Sequence, residues 1–466
     1  MINPTRRPLA PQARPQAALV RYQGPTGSPV RALAHSYSIR MVVFILLHIP
    51  LAYAMDRVQA LARIHAVITL VLAVFWLLTH RDPQRLISLT AYVTGAEVLW
   101  RMTGGDVSWE SAKYAVAIFL ILATLKYRRL LVADKRPIAY FLLLLPSCLL
   151  LPAFDRQAIA FNLSGPLALA VATMFFSTVR LSKHHLQQIC LAILAPVVGS
   201  GYLATFSTLT AEELVFGRGS SWIAAGDYGP NQMSAILGLG ALVALLFAVT
   251  DREHGLLRAF VLVCSLWLAA QAALTFSRGG VWTALGAMLV VALYVVRDSH
   301  FHRATTVGTT MLLLLAGYLL IPALDNFTGG ALASRYTSLD LTGRDLIVRA
   351  DLLAFRDNPL FGVGPGQSRA YHAILYQSAM THTEFSRLLA EHGTLGLISL
   401  LILLALALQH ARIPAPPLQK AYIVSLTVWA MLYMLHAAMR LVAPSFVFGL
   451  AAATFVGSAQ VTSKVV

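Results

Sequence analysis

Two groups of residues have types and neighbours suited to chemistry. His382 lies in Thr381-His382-Thr383-Glu384, where Thr followed three residues later by Glu is a capping box that starts a helix. The box predicts His382 in the first helical turn. The positive end of a helix disfavours imidazolium, so the ring stays neutral and able to accept a proton near neutral pH. The plainer reading is a surface histidine in a polar loop, and it is the one we give His372 and His392. Arg278, in Thr275-Phe276-Ser277-Arg278-Gly279-Gly280, stands at the mouth between two apolar segments, and its planar fork suits two-pronged contact with phosphate oxygens. Arg218, in Phe216-Gly217-Arg218-Gly219-Ser220, is a second such group if its loop folds back towards Arg278. For both, snorkelling to lipid headgroups is an equal alternative.

Around these stand weaker candidates. Asn231, at the start of an apolar segment, either hydrogen-bonds a sugar or phosphate or caps the helix, and its place favours capping. Phe361-Gly362-Val363-Gly364-Pro365-Gly366 is a turn whose amides, at Gly364 and Gly366, could approach an anion closely, though Gly-Pro turns also serve loops generally. No His-x-x-x-His, Asp-x-Asp or Cys pair falls near these residues, so no catalytic metal is expected. Asp345, Asp351 and Asp357, six apart, share no helical face. Cys148, Cys190 and Cys264 each lie in an apolar segment and read as core thiols. Glu97, beside Trp100 and Arg101, reads as an interfacial residue rather than a buried acid.

The elements that position these residues belong in a membrane. The chain has 466 residues, 58% hydrophobic and only 12% charged, against roughly a quarter charged in soluble domains. That deficit excludes a soluble globular enzyme. The net charge of +16 comes without basic blocks interleaved with aromatics, so nucleic acid is not an expected partner and membrane orientation is the better explanation. Apolar runs long enough to span recur near 41–55, 61–79, 86–100, 111–125, 138–152, 159–179, 187–206, 232–250, 257–275, 281–296, 304–321, 394–409, 421–437 and 443–458. The first and last are short or interrupted, leaving 12 to 14 spans. With residues 1–40 as a flexible basic cytoplasmic tail, most of the 36 Lys and Arg fall inside. The chemistry-bearing segments, 207–230, the link around Arg278 and the long loop 322–393, then face outward. A helix over Leu346–Arg356 is expected within that loop, broken at Asn358-Pro359, with Gly393 stopping the helix after His382. Residues 41–321 and 394–466 hold the spans.

Ser277-Arg278-Gly279-Gly280, then Asn358-Pro359-Leu360-Phe361-Gly362-Val363-Gly364-Pro365-Gly366, then His382 with Phe385 and Gly393-Thr394-Leu395-Gly396 resemble, in order and spacing, the bacterial O-antigen ligase family, which shares a membrane domain with O-antigen polymerases and protein O-oligosaccharyltransferases. The resemblance covers about Gly217 to Leu397. It implies an all-α polytopic integral membrane protein similar to C-type glycosyltransferases, with one long periplasmic loop containing short helices, in the bacterial inner membrane. It further implies transfer of O-antigen polysaccharide from an undecaprenyl-diphosphate-linked donor to a lipid A-core acceptor, without metal or other cofactor. His382 would be the general base, and Arg278 and Arg218 would hold the diphosphate; the family often has Asn where this chain has Thr383. The resemblance leaves open a polymerase or a protein O-oligosaccharyltransferase. A lipid-linked sugar transporter, by contrast, should carry its essential charges at mid-membrane.

Overall fold

The structure, a computed structural model, describes residues 28–106, 108–151, 155–212, 216–217, 219–297, 317–338, 340, 343–375 and 381–456. It is a helical bundle. In order these helices are α1 (Ser28–Leu46), α2 (His48–Arg57), α3 (Gln59–Thr79), α4 (Gln84–Met102), α5 (Ser111–Lys126), α6 (Arg136–Leu142), α7 (Arg156–Phe176), α8 (Lys183–Thr210), α9 (Pro230–Thr250), α10 (Gly255–Leu274) and α11 (Arg278–Val296). After them come α12, described over 317–327, then α13 (Ala331–Thr337), α14 (Arg344–Asp357), α15 (Arg369–Leu375), α16 (Glu384–Arg412), α17 (Pro417–Ala437) and α18 (Ala443–Leu450). Among the described residues nine helices are long and apolar enough to cross a membrane, so the protein is a multi-pass membrane protein.

Several expected spans resolve differently. The run near 111–125 is α5 within a residue of the expected bounds, at 16 residues, whereas the run near 138–152 is a short apolar helical stretch. The run near 443–458 ends as a helix at Leu450, after which β2 (Thr454–Val456) pairs in parallel with β1 (Arg180–Ser182). Most of 304–321 lies outside the described residues. The basic tail is helical from Ser28, where α1 begins.

The core is built around α9, which is apolar on every side and buried from Gln232 to Thr250, as a helix without a polar stripe must be. It packs on α8, α10 and α11. Its crossing with α11 is a backbone contact: a Cβ on Gly280 would stand 2.1 Å from the Ser234 hydroxyl, and one on Gly279 would stand 2.5 Å from His436 Nδ1 of α17. The paired glycines after Arg278 therefore let α11 wedge between α9 and α17.

Glu97 is not interfacial. It is 2% exposed and bonded to Arg101 at 2.7 Å, because α4 lies against α8 and turns its polar end inward. Among the cysteines, Cys190 and Cys264 are buried and Cys148 is partly so.

The long loop is mostly helical. α14 spans slightly more than the expected 346–356 and buries Ile347, Ala350, Asp351 and Ala354 on one face. Buried Asp351 accepts from His372 Nε2 at 2.6 Å and from the Ser386 hydroxyl at 2.5 Å, tying α14 to α15 and α16. His372 is therefore not a surface residue. Nor is His392, which is buried and 2.6 Å from the Ser147 hydroxyl. Loop helices packed against α16 shield faces that a polar local sequence suggested were open. The Asn358–Gly366 turn runs along a break in α16 at Gly393 (φ 60°, ψ −140°). Val363 and Gly364 donate to the carbonyls of Ala390 and Glu391, each at 3.0 Å, and Thr394 donates to Pro359 at 2.7 Å. Gly393 thus ends the helix that follows His382, as expected, and a second helix continues from the kink within α16.

Candidate functional site

His382 precedes α16 instead of lying in its first turn. Thr383 is the N-cap, accepting from the amide of Phe385, so the cap sits two residues later than Thr381 predicted. The displacement has a tertiary cause: the Thr381 carbonyl accepts from Arg440 Nη2 at 2.8 Å, and the His382 carbonyl accepts from the amide of Ala438 at 3.2 Å. The 381–383 segment is held in extended form by the chain after α17. The His382 ring is partly buried. Burial first, then the positive charges of Arg440 and Arg344, push it down to about 4 from 6.5, so it is neutral near pH 7.

The second part is a cavity of about 320 Å³ whose lining includes Asn231, Ser277, Arg278, Arg335 and Arg344. Arg278 heads α11 and donates through both arms of its fork to the carbonyls of Ser338 and Asp340. Arg335 on α13 donates to Phe276 O at 3.1 Å. Arg344, the first residue of α14, reaches Asn231 Oδ1 at 3.4 Å. Burial lowers the basicity of Arg344, and the neighbouring Arg278 and Arg335 lower it further. Three guanidinium groups thus crowd one cavity, a grouping that a bound polyanion relieves. Arg344 also depresses His382, which links the cavity to the imidazole.

Asn231 does not cap α9. Gly229 occupies the N-cap without a side-chain bond, and the Asn231 amide oxygen instead accepts from the Ser277 hydroxyl at 2.7 Å. Its carbonyl is spent on the residues that flank and face Arg278. Gly364 and Gly366 lie elsewhere. The Gly364 amide is committed to Glu391 O, and Gly366 borders a separate narrow polar pocket lined by Arg369, Arg387, Glu391 and Arg440. These amides bind the chain itself, because the turn is docked on the α16 break. Arg218 lies outside the described residues. Among the described residues no cluster of His, Cys, Asp and Glu is arranged to hold a metal ion.

Three residues that local reading did not single out belong to this site. Arg335 and Arg344 were two among several arginines of a long loop, and only tertiary packing brings them opposite Arg278. The second of them follows Gly343 at a helix start (φ 75° at the glycine), a punctuation signal visible in the sequence. His436, near the end of α17, is buried against Gly279, and neither ring nitrogen has a hydrogen-bond partner.

No curated protein matches the chain. Residues 260–401, which run from within α10 through α11 and the loop helices into α16 and so include Arg278, Arg335, Arg344 and His382, match the family model described as O-antigen ligase.

Proposed function

We propose that the protein is an O-antigen ligase that transfers O-antigen polysaccharide from undecaprenyl diphosphate to a lipid A-core hydroxyl on the periplasmic face of the inner membrane. One observation carries the reading: a neutral, partly buried His382 is coupled through Arg344 to a cavity bounded by three guanidinium groups. In the proposed step, His382 takes the proton of the acceptor hydroxyl as its oxygen bonds to the anomeric carbon. The bond from that carbon to the diphosphate breaks, and its electron pair leaves with the diphosphate. Arg278, Arg335 and Arg344 offset the charge that develops, in the place a metal ion takes in many glycosyltransferases. Arg218 is assigned to the same task from its sequence setting alone.

A base held down to about 4 is weak for work at neutral pH. The diphosphate offsets part of this, since an anion beside Arg344 cancels that residue's share of the field, while burial and Arg440 go on depressing the ring. Binding of the donor thereby raises the basicity of His382. A lipid-linked donor also suits the neighbouring apolar cavity of about 410 Å³, lined by residues such as Leu245, Ala273, Val281, Leu285 and Leu324. The Tyr336 hydroxyl bonds Ala273 O at 3.3 Å, so this cavity adjoins the arginine cavity, and a polyprenyl chain and its diphosphate can occupy the two together.

The test is a lipopolysaccharide gel from the native host lacking this protein, complemented with wild type or His382→Ala. Wild type alone is expected to restore the ladder on lipid A-core, with polymer otherwise retained on the lipid carrier. Core bearing a single repeat unit in the deletion would instead identify a polymerase. A normal lipopolysaccharide with loss of glycosylated protein would identify a protein O-oligosaccharyltransferase. Wild-type ladders from His382→Ala would remove the base.

A further inference from the structure

The chain carrying the His382 anchor is itself anchored, from a part of the protein outside the matched segment. After α17, Ala438 takes a left-handed backbone (φ 49°) that a non-glycine residue adopts only under constraint. Towards the imidazole, Ala438 donates its amide to His382 O, and the Arg440 side chain holds Thr381 O. Away from it, Arg101 Nη1 donates to the Arg440 carbonyl at 3.1 Å, and the amide of Val442 donates to Glu97 Oε2 at 2.6 Å. Glu97 and Arg101 are themselves paired, with side chains 2% and 1% exposed. Arg101 also donates to the Trp109 carbonyl and stacks its guanidinium on the Trp109 ring at 4.4 Å. The Tyr228 hydroxyl, just before α9, shares its field.

We propose that the buried Glu97–Arg101 pair is a positioning device for catalysis: it clamps residues 438–442, and through them sets where the imidazole of His382 stands relative to the arginine cavity. The inference rests on His382 being the base. Its physical basis is the geometry of the two clamps. A fork and a carboxylate, both fully desolvated, fix two backbone groups two residues apart on a short segment, and the opposite face of that segment holds the two residues Thr381 and His382. A generic buried pair would need none of these backbone partners. Charge pairing alone is a poor reason to bury two ions, since apolar residues of similar volume often serve stability as well.

The test uses the full-length protein with the double substitution Glu97→Leu/Arg101→Met, which removes both clamps and leaves no unpaired buried charge. Donor binding, kcat, the pH profile of kcat and amide hydrogen exchange of residues 381–383 and 438–442 are measured beside His382→Ala. The expected result is a folded variant with donor affinity within about twofold of wild type, because the arginine cavity is untouched. Its kcat falls about 10- to 100-fold, as misplacement of a reacting group by about 1 Å produces. The acid limb of kcat shifts, and exchange rises in both segments. Wild-type kcat and pH profile would overturn the proposal, as would an equal loss of donor affinity and kcat, which marks a purely structural role. If the double variant does not fold, Arg101→Lys, which keeps the charge but cannot bond Glu97, Arg440 and Trp109 together, is measured the same way against the same outcomes. An active His382→Ala would refute the base reading; an inactive one beside a fully active pair variant would refute this inference alone.

Discussion

The Asn231 amide oxygen accepts a hydrogen bond from the Ser277 hydroxyl at 2.7 Å, so the N-termini of α9 and α11 are tied together at the residue before Arg278. The same oxygen receives Arg344. Asn231→Ala leaves the hydroxyl and one guanidinium arm without this partner, at a cost of about 1–2 kcal/mol. Binding of a polyprenyl diphosphate should weaken by about tenfold, read by titration in detergent or nanodiscs; unchanged affinity would confine Asn231 to packing.

Arg278→Lys should lower transfer by at least about tenfold despite keeping the charge, since one ammonium cannot hold the carbonyls of Ser338 and Asp340 in a fork and face phosphate as well. Single-turnover rates with saturating donor check this. A Lys variant as fast as wild type would reduce Arg278 to a membrane-surface charge.

The pH dependence follows from His382. With a folded value near 4, kcat/KM should stay level through neutral pH and fall only as pH drops towards 4. The acid limb of kcat should lie higher, because bound diphosphate raises the ring's basicity. The same depression has a stability consequence. The unfolded imidazole titrates at 6.5, so the unfolded chain binds the extra proton first. Stability present above that value is lost as pH falls from 6.5 through about 4. Identical acid limbs for kcat and kcat/KM would refute the coupling to the donor.

Gly280→Ala should destabilise the protein by about 1–3 kcal/mol, because the new methyl group meets the Ser234 hydroxyl at 2.1 Å and the Ala235 amide nitrogen at 2.5 Å. Gly217→Ala, with nothing within 4 Å of the added carbon, is the control and should unfold at the wild-type temperature. Thermal midpoints in detergent compare the two; equal midpoints would mean that α11 can slide on α9 without loss.

Transfer should persist in excess chelator, with the arginines supplying the positive charge. Activity lost to chelator and restored by a divalent ion would show that they do not suffice.

The membrane class, most helices and the three central motifs were legible locally, because a long apolar run, a Gly-Pro turn and an arginine at a span's mouth each carry their meaning within a few residues. The break at Gly393 and the helix of α14 were legible for the same reason. Partnership was not. Arg335 had no local mark separating it from the other arginines of its loop and Arg344 only the glycine before it, and their role depends on facing Arg278 across a cavity that only packing creates. His372, His392 and Glu97 looked superficial because burial is decided by tertiary partners: Asp351 of α14 meets the first, Ser147 meets the second, and Val442 and Arg101 enclose the third. The cap before α16 moved from Thr381 to Thr383 for the same reason, as backbone bonds from Arg440 and Ala438 outweigh a capping box whose bonds are each worth about 1 kcal/mol. Residue type determined the chemistry this chain could offer, since proton affinity and charge belong to single side chains. Which side chains share a site was decided by tertiary structure, since desolvation and Coulomb fields depend on distance through space.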